Sequence, residues 1–181
     1  MKGIVFTEFI EFVEDKFGFE ISNDIIIESQ LKSGGVYTAV GTYDFQEMLS
    51  LLMSLHAKTK IPIPDLLEVF GKHLFYRFVD LYPDFVHKSL GLFGFIEKID
   101  DYIHVEVKKL YPDAELPKLT VKAKTKDAMV VLYKSERKLG NFALGLLKSA
   151  AEFFNEPLSI SMQTLEEDGS VVQFTLNRSD G

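Results

Sequence analysis

The spacing of apolar residues along this chain first departs from a helical period around Pro112 and Pro117, and that change limits the folds open to it. Before it the spacing is helical. Ile4, Val5, Phe9, Ile10, Phe12, Val13 and Phe17 share one helix face, with Gly18 as a stop. Asp44 ahead of Phe45, with Glu47 in the first turn, opens a helix through Leu49, Leu52, Met53 and Leu55, and the Ser33-Gly34-Gly35 turn separates these two units. A third helix follows Pro62 and Pro64, with Asp65 as its cap, and runs through Leu67, Phe70, Leu74 and Phe78 towards Pro83. From Leu90 to Leu110, the residues Leu92, Ile96, Ile99, Ile103, Val107 and Leu110 form one stripe. After the prolines, Leu119–Lys124 alternates like a strand, Met129–Tyr133 is a short apolar run, and Leu139–Phe154 returns to helix. Ser159–Leu165 and Val171–Leu176 then flank the hairpin signal Glu167-Asp168-Gly169. Helices first and a small antiparallel sheet of about four strands after them define an α+β domain. Residues 1–181 are expected to form one domain, with a helical N-terminal subdomain over 1–60 and the remaining helices and the sheet over 61–181.

The chain has 181 residues, 46% of them hydrophobic, enough to bury a substantial core that sixteen phenylalanines and no tryptophan make aromatic. It has no cysteine, which excludes disulfides, thiolate–metal sites and cysteine nucleophiles. A formal charge of -7 argues against a nucleic-acid partner. There is no apolar run of about 20 residues to cross a bilayer, and Glu8, Glu11 and Glu14 near the start are unlike a signal peptide, so a cytoplasmic protein without a membrane partner is expected. His-Glu-x-x-His, a phosphate-binding glycine loop and Gly-x-Ser-x-Gly are all missing. Asp84, His87 and Ser89 lie too close together after a proline to make a triad, Asp100 and Asp101 read as helix solvation, and Glu166, Glu167 and Asp168 as a turn. An enzyme is not expected.

Four histidines offer an imidazole. His56 falls at a helix end beside Lys58 and Lys60, and His73 and His87, next to Lys72 and Lys88, read as surface residues. His104 lies on the flank of its stripe, beside Val107 and on the side of Phe93 and Tyr111, so it is neither central to the core nor on the solvated face. Downstream, Tyr133, Ser135 and Arg137 alternate, which on an extended chain turns three polar groups to one side, and Arg137 brings a guanidinium fork suited to a carboxylate. The same triplet is also compatible with solvated decoration of an edge strand.

In combination, His104, Pro117 thirteen residues on, and Tyr133-x-Ser135-x-Arg137 after an apolar strand resemble the heme nitric oxide/oxygen-binding (H-NOX) family, the bacterial relatives of the heme domain of soluble guanylate cyclase. The resemblance spans essentially the whole chain. It implies heme b held between the helical part and the sheet, with His104 as axial iron ligand, Tyr133, Ser135 and Arg137 on the propionates, and Pro117 pressing the ring out of plane. Val5, Phe9, Leu74, Phe78, Phe142 and Leu146 then surround the gas site. Phe142 stands where oxygen-binding members carry a tyrosine, five residues beyond the motif's arginine. None of these six side chains donates a hydrogen bond, which implies binding of nitric oxide and carbon monoxide and poor retention of oxygen. Nitric oxide would weaken the His104 bond across the iron and release its helix, and the partner implied is a separate histidine kinase or cyclic-di-GMP enzyme acted on in trans. Two other readings stay open: a heme-free module holding an apolar small molecule or a partner helix, and a heme storage or transport protein.

Overall fold

A computed structural model of the protein describes residues 1–178. Helix α1 (Gly3–Phe17) ends at Gly18, whose φ of 90° suits a residue without a Cβ, and the chain turns there into α2 (Phe19–Glu28). An irregular stretch leads to α3 (Phe45–Thr59), capped by the Asp44 carboxylate, which accepts from the Gln46 N–H at 2.9 Å. Helix α4 (Ile63–Leu81) follows, then two short 3-10 turns, α5 (Gly91–Lys98), a π-helical turn over Ile99–Ile103 and α6 (His104–Leu110). Strands β1 (Lys118–Lys124) and β2 (Ala128–Lys134), helix α7 (Gly140–Phe154), and strands β3 (Leu158–Thr164) and β4 (Val171–Arg178) complete an α+β fold. The sheet is antiparallel throughout, in the order β1-β2-β4-β3. Among the described residues no helix is long and apolar enough to cross a membrane.

Two apolar clusters form the interior. Phe6, Phe9, Phe12 and Val13 of α1 pack with Leu51, Leu52 and Leu55 of α3 and Leu66 and Phe70 of α4. The second cluster sets the inward faces of the central strands, Met129, Val131 and Tyr133 paired with Leu176, Phe174 and Val172, against α5 and α7. Helix α4 serves both, since its consecutive residues Leu74 and Phe75 belong to different clusters. Each fully buried phenylalanine contributes about 2 to 3 kcal/mol of apolar burial.

Two glycines let α4 and α7 approach closely. A Cβ on Gly71 would strike the Phe142 carbonyl, and one on Gly145 the Glu68 carbonyl. Backbone cannot yield as a side-chain end can, so Gly145→Ala is expected to lower stability by about 1 to 3 kcal/mol. The urea midpoint measures it, and an unchanged midpoint would mean that the helices separate without cost.

Several elements depart from the sequence expectations. Helix α2 was not anticipated, because much of its apolar surface is not core: Phe19 and Ile27 lie exposed and Ile25 alone of its isoleucines is fully buried. The inward face of α3 is Met48, Leu51, Leu52 and Leu55, while Met53 points to solvent. Asp65 sits inside the first turn of α4 and Pro62 takes the cap position. The stripe from Leu92 to Leu110 is interrupted by the π turn, which takes more residues per turn, and its last residue, Leu110, is 56% exposed. His73 is not a surface residue. Its ring lies 5.5 Å from the Phe12 ring, with Nε2 3.6 Å from the buried Glu8 carboxylate, and burial holds its pKa below the ordinary value.

Candidate cofactor cavity

Between the two clusters lies a cavity of about 300 Å³ with a predominantly apolar wall. Helices α1, α4 and α7 contribute Val5, Leu74, Phe78, Phe142 and Leu146, α6 contributes His104 and Val107, and the segment after it Glu115 and Pro117. Tyr133, Ser135 and Arg137 join from the end of β2 and its turn. Phe9 is the exception among the expected lining residues. One turn beyond Val5, it packs edge-on against Phe70 at 5.1 Å and is fully buried in the N-terminal cluster, behind the wall.

The His104 ring is oriented by a neighbour one helical turn earlier. Its Nδ1 lies 2.9 Å from Asp100 Oδ1, and the Asp100 carboxylate is itself fixed by the Leu119 N–H, 3.1 Å from each oxygen. Burial pushes the His104 pKa down, opposed by the Asp100 charge and hydrogen bond, so the ring is neutral at neutral pH. A neutral imidazole has one N–H. With that proton directed at Asp100, Nε2 carries the lone pair, the tautomer a metal requires. The backbone N–H of His104 donates to Ile99 O, five residues back, so the π turn ends at this residue. Asp100 therefore does more than solvate its helix. The i, i+4 spacing from His104 was the signal for it, and the contact to Leu119 across the fold was not readable from the sequence.

The polar triplet converges, though by a different route from simple alternation. Only Tyr133 belongs to β2, which is a central strand and ends at Lys134. Ser135 begins a turn, its N–H donating to Ser170 O at 2.9 Å while its hydroxyl accepts from the Arg137 N–H at 3.2 Å. Lys138, with a φ of 57°, completes the reversal. Arg137 thus turns back to the cavity, its guanidinium 5.9 Å from the Phe45 ring. Nη1 donates to the Glu115 carbonyl at 2.7 Å and Nη2 to the Glu115 carboxylate at 2.6 Å. Burial pushes the Tyr133 phenol up, so it remains a neutral donor.

Two further wall residues, Tyr82 and Tyr111, were not singled out by the sequence. Their hydroxyls are 3.1 Å apart and join the end of α4 to the end of α6. Burial and the Tyr111 hydroxyl push Tyr82 up to about 12.

Among the described residues there is no group of three histidine, aspartate or glutamate side chains that could hold a metal ion. His104 therefore suits a metal that brings its other ligands with it. An imidazole lone pair, an apolar chamber and a guanidinium with two hydroxyls fit the iron, ring and carboxylates of a heme.

Solved structures agree in overall form. The Fe(II) unliganded H-NOX protein from K. algicida is 44% identical, with a TM-score of 0.95 over 100% of this chain and 98% of that one. The IWP-051-bound H-NOX from Shewanella woodyi in the Fe(II)CO state is 38% identical, with a TM-score of 0.84 over 99% and 95%. An H-NOX protein from S. oneidensis in the Fe(II)NO state is 28% identical, with a TM-score of 0.90 over 99% and 100%. No curated protein matches the chain. The family model described as Haem-NO-binding matches residues 2–162, and with the likeness to the K. algicida protein this places the chain in that family, the H-NOX proteins.

Proposed function

We propose that the protein is a heme-based sensor that binds nitric oxide and carbon monoxide, discriminates against oxygen, and regulates a separate signalling protein such as a histidine kinase or a cyclic-di-GMP enzyme. The observation that carries this is the His104 ring, neutral and oriented by Asp100, in the wall of an apolar cavity that also presents Tyr133, Ser135 and Arg137. His104 would hold the iron through Nε2, and Arg137, Ser135 and Tyr133 would receive the propionates of heme b. When bound, heme supplies a ferrous iron with one face left to a diatomic gas. The nitric oxide and carbon monoxide states of the S. oneidensis and S. woodyi proteins support the choice of gases.

Selectivity follows from the wall. Val5, Leu74, Phe78, Phe142 and Leu146 carry no donor, and of the Tyr82 and Tyr111 hydroxyls one donates to the other. Oxygen needs a donor for the negative charge it acquires, and nitric oxide does not. Pro117, also in the wall, would press on the ring.

Signalling would use the segment that carries His104. A π turn is a less regular hydrogen-bonding arrangement than the α-helices on either side, and here it joins the ligand's helix to α5. Releasing the ring frees α6 to shift, and α1, which shares the cavity through Val5, shifts with it. We read this as movement of the helical subdomain over 1–60 relative to 61–181, the two-state change that a partner in trans would sense.

The test is an absorption spectrum of the purified, reduced protein. An intense Soret band that moves with nitric oxide and carbon monoxide but not in air is expected. A protein that takes up no heme, leaving a heme-free module, or one that hands heme to an acceptor and whose partner ignores nitric oxide, would defeat the proposal.

A further inference from the structure

We infer that Glu115 sets how tightly the cavity holds an anionic porphyrin, because its carboxylate competes with the porphyrin's own carboxylates for Arg137. The inference rests on the heme reading above and adds a residue to it. Arg137 is well enclosed, its side chain 17% exposed, whereas the Glu115 side chain is 83% exposed. The two contacts from Arg137 to Glu115 do different work. Nη1 donates to the main-chain carbonyl, which aims the guanidinium whatever side chain stands at 115. Nη2 donates to the carboxylate, which occupies one edge of the fork and sets an anion beside it. A propionate approaching from the cavity therefore meets a cation already paired, beside an anion of its own sign. Carboxylates crowded around one guanidinium repel, and the solvent-exposed Glu115 side chain is the one with room to swing away. Ser135 and Tyr133 give hydroxyl donors without this competition, so the charged part of the grip passes through the position Glu115 contests.

The prediction is directional. Glu115→Gln keeps the shape and the main-chain carbonyl but removes the competing charge, and Glu115→Ala removes the side chain. Both should release heme to excess apomyoglobin about two- to fivefold more slowly than wild type, the range expected for a solvent-exposed ion pair. Glu136→Gln, a nearby exposed carboxylate in the same turn region, should leave the rate unchanged. In an Arg137→Gln background, Glu115→Gln should lose its effect, because the guanidinium through which it acts is gone. Release from Glu115→Gln as fast as wild type, or faster, would overturn the role of Glu115, as would the same slowing in the Arg137→Gln background. Both results leave the Soret band of wild type intact. Absence of that band would instead defeat the heme reading itself, and this inference with it.

Discussion

His104→Gly abolishes the five-coordinate ferrous spectrum of the reduced protein, and added imidazole restores it. The expectation follows from how little else the ring does. Its one hydrogen bond is to Asp100, and the Asp100 carboxylate keeps both contacts to the Leu119 N–H when the ring is removed. Glycine at the head of α6 costs about 1 kcal/mol in helix propensity, and truncation of a partly exposed ring adds a loss of packing that the two clusters tolerate. The fold should therefore survive, as circular dichroism would establish. Only the Nε2 lone pair is lost, and free imidazole enters the space vacated with its N–H again directed at Asp100. Retention of the wild-type five-coordinate spectrum without imidazole would mean that another residue holds the iron. His73, with its ring packed on Phe12 and its Nε2 turned to Glu8, is poorly placed to be that residue.

How much of this was legible in the sequence depended on the range of the interaction that decides it. Local signals carried the sheet: alternation in Leu119–Lys124 and the apolar run before Lys134 became strands at nearly those bounds, and the hairpin signal at Glu167-Asp168-Gly169 became the turn between β3 and β4. The Asp44 cap was equally local. His104 was placed on a flank by a regular helix period, although it is the first residue beyond the π turn. The π turn itself has no periodic signature, since the residues of the stripe beyond it, Val107 and Leu110, still line the cavity. Ser135 and Arg137 reached the cavity through a turn held by Ser170, a residue 35 positions along, where the sequence offered only alternation. The pairings of Glu115 with Arg137, Tyr82 with Tyr111, and Asp100 with Leu119 likewise depend on which segments the fold brings together, and no spacing rule reports them. Phe9 shows the opposite error, a helix face assigned correctly with the wrong depth. Its periodicity matches Val5, yet it is fully buried against Phe70 in the N-terminal cluster.

Phe142→Tyr should convert the protein into one that holds oxygen in air. Phe142 lies in the cavity wall, partly buried, with its ring 5.4 Å from Phe70 and its carbonyl against Gly71, so the ring direction is set by backbone and by an aromatic neighbour. A tyrosine there keeps the ring and adds one hydroxyl at its far end. With no acceptor in reach that hydroxyl costs about 1 to 3 kcal/mol, so the gas-free variant should unfold at lower urea than wild type. A donor aimed at a ligand that gains negative charge recovers about 1.5 to 3 kcal/mol, which corresponds to oxygen leaving about 10- to 100-fold more slowly. Nitric oxide acquires little charge, so its affinity should stay within about threefold. Stopped-flow release of oxygen and the spectrum in air measure the effect. Unchanged oxygen release in Phe142→Tyr would show that polarity at this wall does not govern selectivity. Wild type already stable in air would show that a donor acts there now, and the Tyr82–Tyr111 pair in the cavity wall would be where to remove it.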